Sequence, residues 1–230
     1  MKTLKKDIHA SDSGSSNCLG VISGLTNPRH FNLLVMMIDN LAIHEAGHFV
    51  MYFLNCKAEK KLPRVYELSI SPNFNKGHIM AKTDIAPEFI TEVINSDLSE
   101  EFKAIQIANT RRVIKYCLAG MACEIINMEL SFSCEMAIIC ERAILKYYKK
   151  DKKDKNSDLS KAVAFNVAIG GQQQIDDPLP LLGLLKEAVN QIALHWNKVT
   201  EVATKLEKEK IIEGYKLEAI IESWQQSTIS

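Results

Sequence analysis

The chain lacks most of the patterns from which a function is usually read. Neither sign of charge is in surplus: Lys+Arg and Asp+Glu both number 28 among 230 residues. Such a balance gives no electrostatic pull toward nucleic acid or anionic membranes. The six cysteines, at 18, 56, 117, 123, 134 and 140, form no Cys-x-x-Cys pair. That spacing suits neither a zinc ribbon nor a dithiol redox motif, and cysteines in apolar helical runs read as small buried hydrophobes. No run of about 20 uncharged residues is present to cross a bilayer. The apolar stretch 31–38 comes nearest, but Asp39, Asn40, His44, Glu45 and His48 prevent its continuation. No Gly-x-x-x-x-Gly-Lys-Ser/Thr phosphate loop occurs, so nothing in the chain can couple nucleotide hydrolysis to work. The start, residues 1–7, is charged and leads into no apolar core, which argues against a secretory signal. These absences lead us to expect a soluble, cytoplasmic protein with reduced thiols, no nucleic-acid partner and no membrane segment.

The chain does contain His44-Glu45-Ala46-Gly47-His48. Histidines four apart on a helix share one face, about one turn from each other. Two such imidazoles can grip one Zn2+, and the glutamate between them can act as general base on the zinc-bound water. Chance alone would produce the pattern about once per hundred chains of this composition. The motif sits in an apolar helix, where two histidines and a glutamate are costly to bury without a purpose. Gly47 costs about 1 kcal/mol against alanine inside a helix, so its missing side chain suggests that another segment approaches there.

Residues 1–26, rich in Ser, Gly, Asn and Lys, read as a flexible N-terminal arm. Asn27-Pro28 offers a helix start, and the motif helix should run to about Leu54. Tyr66, Leu68 and Ile70 alternate with Glu67, Ser69 and Ser71, the period of a half-buried strand. The turn chemistry of 72–77 then allows 78–82 to return as a hairpin. Its edge either pairs with extended substrate or only shields the helix, and the residues alone leave both open. A long helix is expected from Asp97, with Asp97 and Glu100 as a capping pair, to Ile126. Its stretch Leu118-Ala119-Gly120-Met121-Ala122-Cys123-Glu124 suits tight helix packing, with Glu124 needing a partner if buried. Another helix covers 134–149, followed by a lysine-rich solvated loop over 149–156. Ser157 or Asn156 can cap the next helix, from Asp158 to about Ile169. Asp177-Pro178 opens a C-terminal helical pair over 176–230, broken at Gly214 before a last short helix over 217–224. The expected fold is mainly α (α+β): a helical core over 27–175, a small hairpin or sheet beside the motif helix, and the C-terminal helices packed on the same domain.

In their order, these segments resemble the zinc peptidase domain of the FtsH-type membrane-bound AAA proteases. The likeness runs through His44–Val50, the strand and turn at 68–72 with Gly77, the Leu118–Glu124 stretch, and Asn156-Ser157-Asp158-Leu159. It covers most of residues 31–225. It implies His44, His48 and Asp158 as metal ligands, the aspartate being the family's third ligand, and Glu45 as the catalytic residue. It also implies a peptide or unfolded protein as substrate, and homo-oligomers are usual for the family. Two departures stand out: the absent ATPase and membrane segments, and a longer interval between Glu124 and Asp158. Glu124 competes with Asp158 for the third ligand position, and reads otherwise as a group holding a zinc histidine. His78 and Tyr66 are loose candidates for an oxyanion donor, whereas His195 reads as an ordinary core or surface histidine. The function expected is a soluble, ATP-independent zinc metallopeptidase. The alternatives are a non-proteolytic binding or regulatory module that keeps the fold, and a zinc hydrolase of a non-peptide amide.

Overall fold

A computed structural model describes residues 40–71, 76–81, 86–132, 157–170 and 179–226. The N-terminal arm, the expected start of the motif helix, the hairpin turn, the helix over 134–149, the lysine-rich loop and the Asp177-Pro178 helix start lie outside them. The protein is mainly helical with one small antiparallel sheet. In chain order the elements are α1 (Asn40–Ala58), β1 (Val65–Ser71), β2 (Lys76–Ala81), α2 (Pro87–Asn95), α3 (Glu100–Phe132), α4 (Asp158–Gly170), α5 (Leu179–Ala193), α6 (Trp196–Glu209), β3 (Ile211–Glu213) and α7 (Gly214–Gln226). Among the described residues no helix is long and apolar enough to cross a membrane.

The motif helix α1 is the centre of the core. All seven residues from Glu45 to Met51 are buried, and a helix buried on every side must be enclosed by its neighbours. Helices α3 and α6 and the sheet surround it. Trp224 of α7 closes one side, its ring 5.7 Å from that of Phe49 and 5.2 Å from that of Phe53. Lys60 ends the helix in a left-handed conformation (φ 54°). Its N–H reaches the Lys57 carbonyl at 3.2 Å and the Lys61 N–H reaches Cys56 at 2.9 Å. Those paired bonds satisfy carbonyls that the helix leaves open, without the usual glycine.

Helix α3 spans 33 residues, about 50 Å at the helical rise. It starts two residues later than the Asp97 capping pair implies, because the Ser99 hydroxyl accepts the Phe102 N–H at 3.3 Å. It also continues past Ile126 to Phe132. Leu118, Ala119, Ala122 and Cys123 are completely buried where α3 crosses α1. A Cβ at Gly47 would collide with Cys123 Sγ and lie 2.8 Å from the Ala119 carbonyl oxygen. The segment that Gly47 admits is therefore the backbone of α3.

The sheet has the order β2-β1-β3. Register shifts between Val65 and Glu67 in the pairing of β1 with β2. An extra residue there reverses the alternation, so Val65 joins Leu68 and Ile70 on the buried face. Tyr66, expected on that face, is 57 % exposed instead. Strand β3 and helix α2 are additional to the expected elements. At the end of α6, Lys210 is left-handed (φ 63°), and its carbonyl accepts the Ile70 N–H at 2.9 Å. That turn lays the next three residues along β1. Helix α2 starts with Pro87 at its first turn and buries Ile90 and Val93.

Gly47→Ala tests the crossing. In an exposed helix the change should stabilise by about 1 kcal/mol, but here the neighbouring atom is a backbone carbonyl that cannot rotate away. Overpacking typically costs about 1–3 kcal/mol, so a lowered thermal and denaturant midpoint is expected. An unchanged or raised midpoint would show that the helices can separate freely.

Candidate metal centre

The site is built from α1, α3, α4 and β2. On α1, His44 and His48 face the same way, their rings 4.9 Å apart. Helix α4 starts at Asp158, with the Ser157 hydroxyl accepting the Ser160 N–H at 3.2 Å. A short acidic side chain in the first turn suits the positive end of the helix, and it projects toward α1. The Nε2 atoms of the two histidines are 3.1 Å apart. Asp158 Oδ2 lies 3.1 Å from His48 Nε2 and 3.4 Å from His44 Nε2. Among the described residues these three form the group of His, Cys, Asp or Glu side chains able to share a metal ion.

The donor set passes a direct test of fit. Donors of a tetrahedral site with bonds of about 2.0–2.1 Å stand about 3.3 Å from one another. The three separations bracket that value. The outer nitrogens of both rings are also committed. His44 Nδ1–H donates to Glu124 Oε1 at 2.8 Å, and His48 Nδ1–H donates to the Tyr116 carbonyl at 2.8 Å. Each partner accepts, so both rings turn Nε2 to the common point, where it becomes a metal donor once it carries no proton. In this geometry Glu124 holds His44, and Asp158 supplies the oxygen of the group that could hold a metal ion.

The electrostatics agree. Burial disfavours a charged His44, but hydrogen bonds to Asp158 and Glu124 outweigh it and push its pKa up to about 10. Burial likewise opposes the Asp158 carboxylate, yet hydrogen bonds from His44 and His48 hold it well below the usual carboxylate range. The protein side chains by themselves therefore gather a positive charge at the point where the three donors meet. Burial raises the Glu45 carboxyl above its ordinary range, with His48 and His44 pulling the other way. Glu45 is only 6 % exposed.

Glycines let backbone come close on two sides. A Cβ at Gly120 would overlap the His44 ring at Nε2, and one at Gly77 would overlap the Glu45 carboxylate. Gly77 on β2 faces α1, so the alternation of the strand turns its neighbour His78 to the exposed outer face. His78 stays near enough for its charge to favour ionised Glu45. Neither His78 nor Tyr66 joins the metal-binding group. His195 stands at the start of α6, outside that group. The pocket of about 260 Å³ beside Arg64, Glu218 and Glu222 contains none of its residues.

Two contributors escape a reading by residue type. Tyr116 holds His48 through its main-chain carbonyl, which no side chain announces. Lys161, one turn beyond Asp158, places its ammonium 3.4 Å from Oδ1, the oxygen turned away from the histidines. The Asp-x-x-Lys pair in the first turn of that helix, Asp158 and Lys161, could have signalled the second. No protein-family model and no curated protein sequence matches the chain.

Asp158→Asn should abolish most metal retention, whereas Glu124→Gln should weaken it about 10–100-fold, as loss of a histidine's outer partner does. Equal effects, read by elemental analysis and competition titration, would contradict the assignment. Affinity should also rise with pH. A raised His44 pKa means that a proton occupies the ring throughout neutral pH and must leave as metal enters. We expect about a tenfold gain per pH unit from about pH 6 to 8. A flat profile would remove His44 from the ligand set.

Proposed function

We propose that the protein is a zinc-dependent, ATP-independent peptidase acting on peptides or unfolded protein segments. The observation that carries this reading is the convergence of His44 Nε2, His48 Nε2 and Asp158 Oδ2 next to a buried glutamate on the same helix. Two imidazoles and one carboxylate suit zinc among the common cations, and a three-ligand protein set leaves room for a further ligand. When bound, zinc would supply Lewis acidity, acidifying a water and polarising a substrate carbonyl.

The remaining work falls to the chain's own residues. Glu45 takes the proton of the attacking water on a carboxylate oxygen as the new C–O bond forms. It then delivers that proton to the amine nitrogen as the C–N bond breaks, so the carboxylate is regenerated. Burial, which raises its pKa, makes it a stronger base than an exposed glutamate. His44 and His48 keep their orientation through Glu124 and the Tyr116 carbonyl.

The sheet supports a peptide substrate in particular. Among the described residues strand β2 is an edge. The Ile70 N–H points to β3's side, so Ser69 and Ser71 face β2 and pair with His78 and Lys76. By the same alternation, the N–H and C=O of Gly77 and Ile79 point to the edge that no described strand covers. An extended peptide pairing there would run past Glu45. The ordered likeness to the FtsH-type peptidase domain supports the same reading, as does the lack of a phosphate loop for its ATP independence.

Hydrolysis of an unfolded protein should be abolished by chelator, restored by zinc and unaffected by ATP. Glu45→Gln should keep its metal and lose about 10²–10⁴-fold in kcat, since the amide cannot accept the proton. A Glu45→Gln protein that cleaves as fast as its parent, or rapid ATP-stimulated digestion of a stably folded substrate, would refute the proposal.

A further inference from the structure

We propose that Gly77 is a positioning residue for Glu45: the main chain of the sheet edge, through Gly77, fixes where the carboxylate sits. The role of base given to Glu45 rests on the peptidase reading above; the contact itself does not. Gly77 lies on the face of β2 that also carries Ile79, opposite the buried Ile70 of β1. That face is pressed against α1. A Cβ built at Gly77 would overlap Glu45 at Cγ, Cδ and Oε1 together. The overlap therefore involves the last methylene and the carboxyl, and it cannot be relieved by turning the carboxyl alone. Glycine weakens a strand interior, and its usual justification is a turn, a bulge or a close approach. Gly77 lies within β2, paired with Ile70, and not in the turn; it also sits away from the register shift between Val65 and Glu67, which leaves close approach.

The contact has a functional logic. Helix α1 fixes only the Cα of Glu45, and a glutamate has three side-chain rotors to order. The same strand that would pair with an extended peptide thus forms the wall against which the base rests. An alanine methyl would force the carboxylate off that wall, and misplacement by about 1 Å can cost about 100-fold in rate.

A double-mutant cycle on Gly77→Ala and Glu45→Ala reads the contact without relying on activity. In the parent background Gly77→Ala should lower the thermal midpoint. In the Glu45→Ala background, where the obstructing atoms are gone, it should leave the midpoint unchanged. The parent's Gly77→Ala variant should also retain its metal and keep its KM while kcat falls about 100-fold. Should Gly77→Ala alone fail to fold, a folded double variant supports the proposal and a second unfolded one overturns it. Equal losses of midpoint in both backgrounds overturn it, as does an unaltered kcat in an active enzyme. A parent that hydrolyses no peptide defeats the peptidase reading separately, while the stability cycle still decides whether Gly77 places Glu45.

Discussion

The near contact of α1 with α3 is the constraint on which the rest of the centre depends. Two helices usually pack about 8–10 Å apart, the distance being set by the side chains between them. Here glycine stands on each helix at the crossing, Gly47 on one and Gly120 on the other, with Ala119 and Cys123 beside them. Because so little intervenes, main-chain atoms and short reaches of α3 touch the histidines directly. The Tyr116 carbonyl meets His48, and Glu124 meets His44. Were the helices held apart by larger residues, both imidazoles would lose the partners that set their tautomer.

Such closeness also settles an electrostatic difficulty. His48 and Glu45 are buried polar groups in an apolar helix, and burial of that kind is unfavourable without compensation. Each finds a different compensation. His48 has a carbonyl on one side and a carboxylate on the other. Glu45 lies among positive or polarisable rings that offset part of its desolvation. A cation at the meeting point of the three donors would complete the balance, in the place where His44 otherwise holds a proton.

Much of this was legible in the sequence, and the boundary of legibility follows range. His44, Glu45 and His48 lie within one helical turn, so their shared face needs only helical geometry. Asp158 is over a hundred residues away; its role could be inferred only from local likeness, and the structure brings it to the histidines. Gly47 signalled a close approach but not by which segment. The misplaced Tyr66 shows how a single register shift defeats a period-2 reading, since one extra residue flips the side chains on one side of it relative to the other. Strand β3 depends on a left-handed lysine, a conformation that residue type does not advertise. The contact of Gly77 with Glu45 and the grip of Tyr116 on His48 are tertiary and main-chain events, and pattern alone carries no trace of them.

Tyr116 and Glu124 stand about two turns apart on one uninterrupted helix, each holding a different histidine. That arrangement makes α3 act as a ruler against which both histidines of α1 are set. Inserting or deleting one residue between positions 116 and 124 would rotate one mark by about 100° relative to the other. One histidine would then lose its partner whatever the new residue was. Gly120 apart, where a Cβ would overlap the His44 ring, the stretch should consequently tolerate changes of composition among small residues far better than any change of length. Descendants of this chain could drift in sequence there, yet the spacing from Tyr116 to Glu124 would be inherited unchanged.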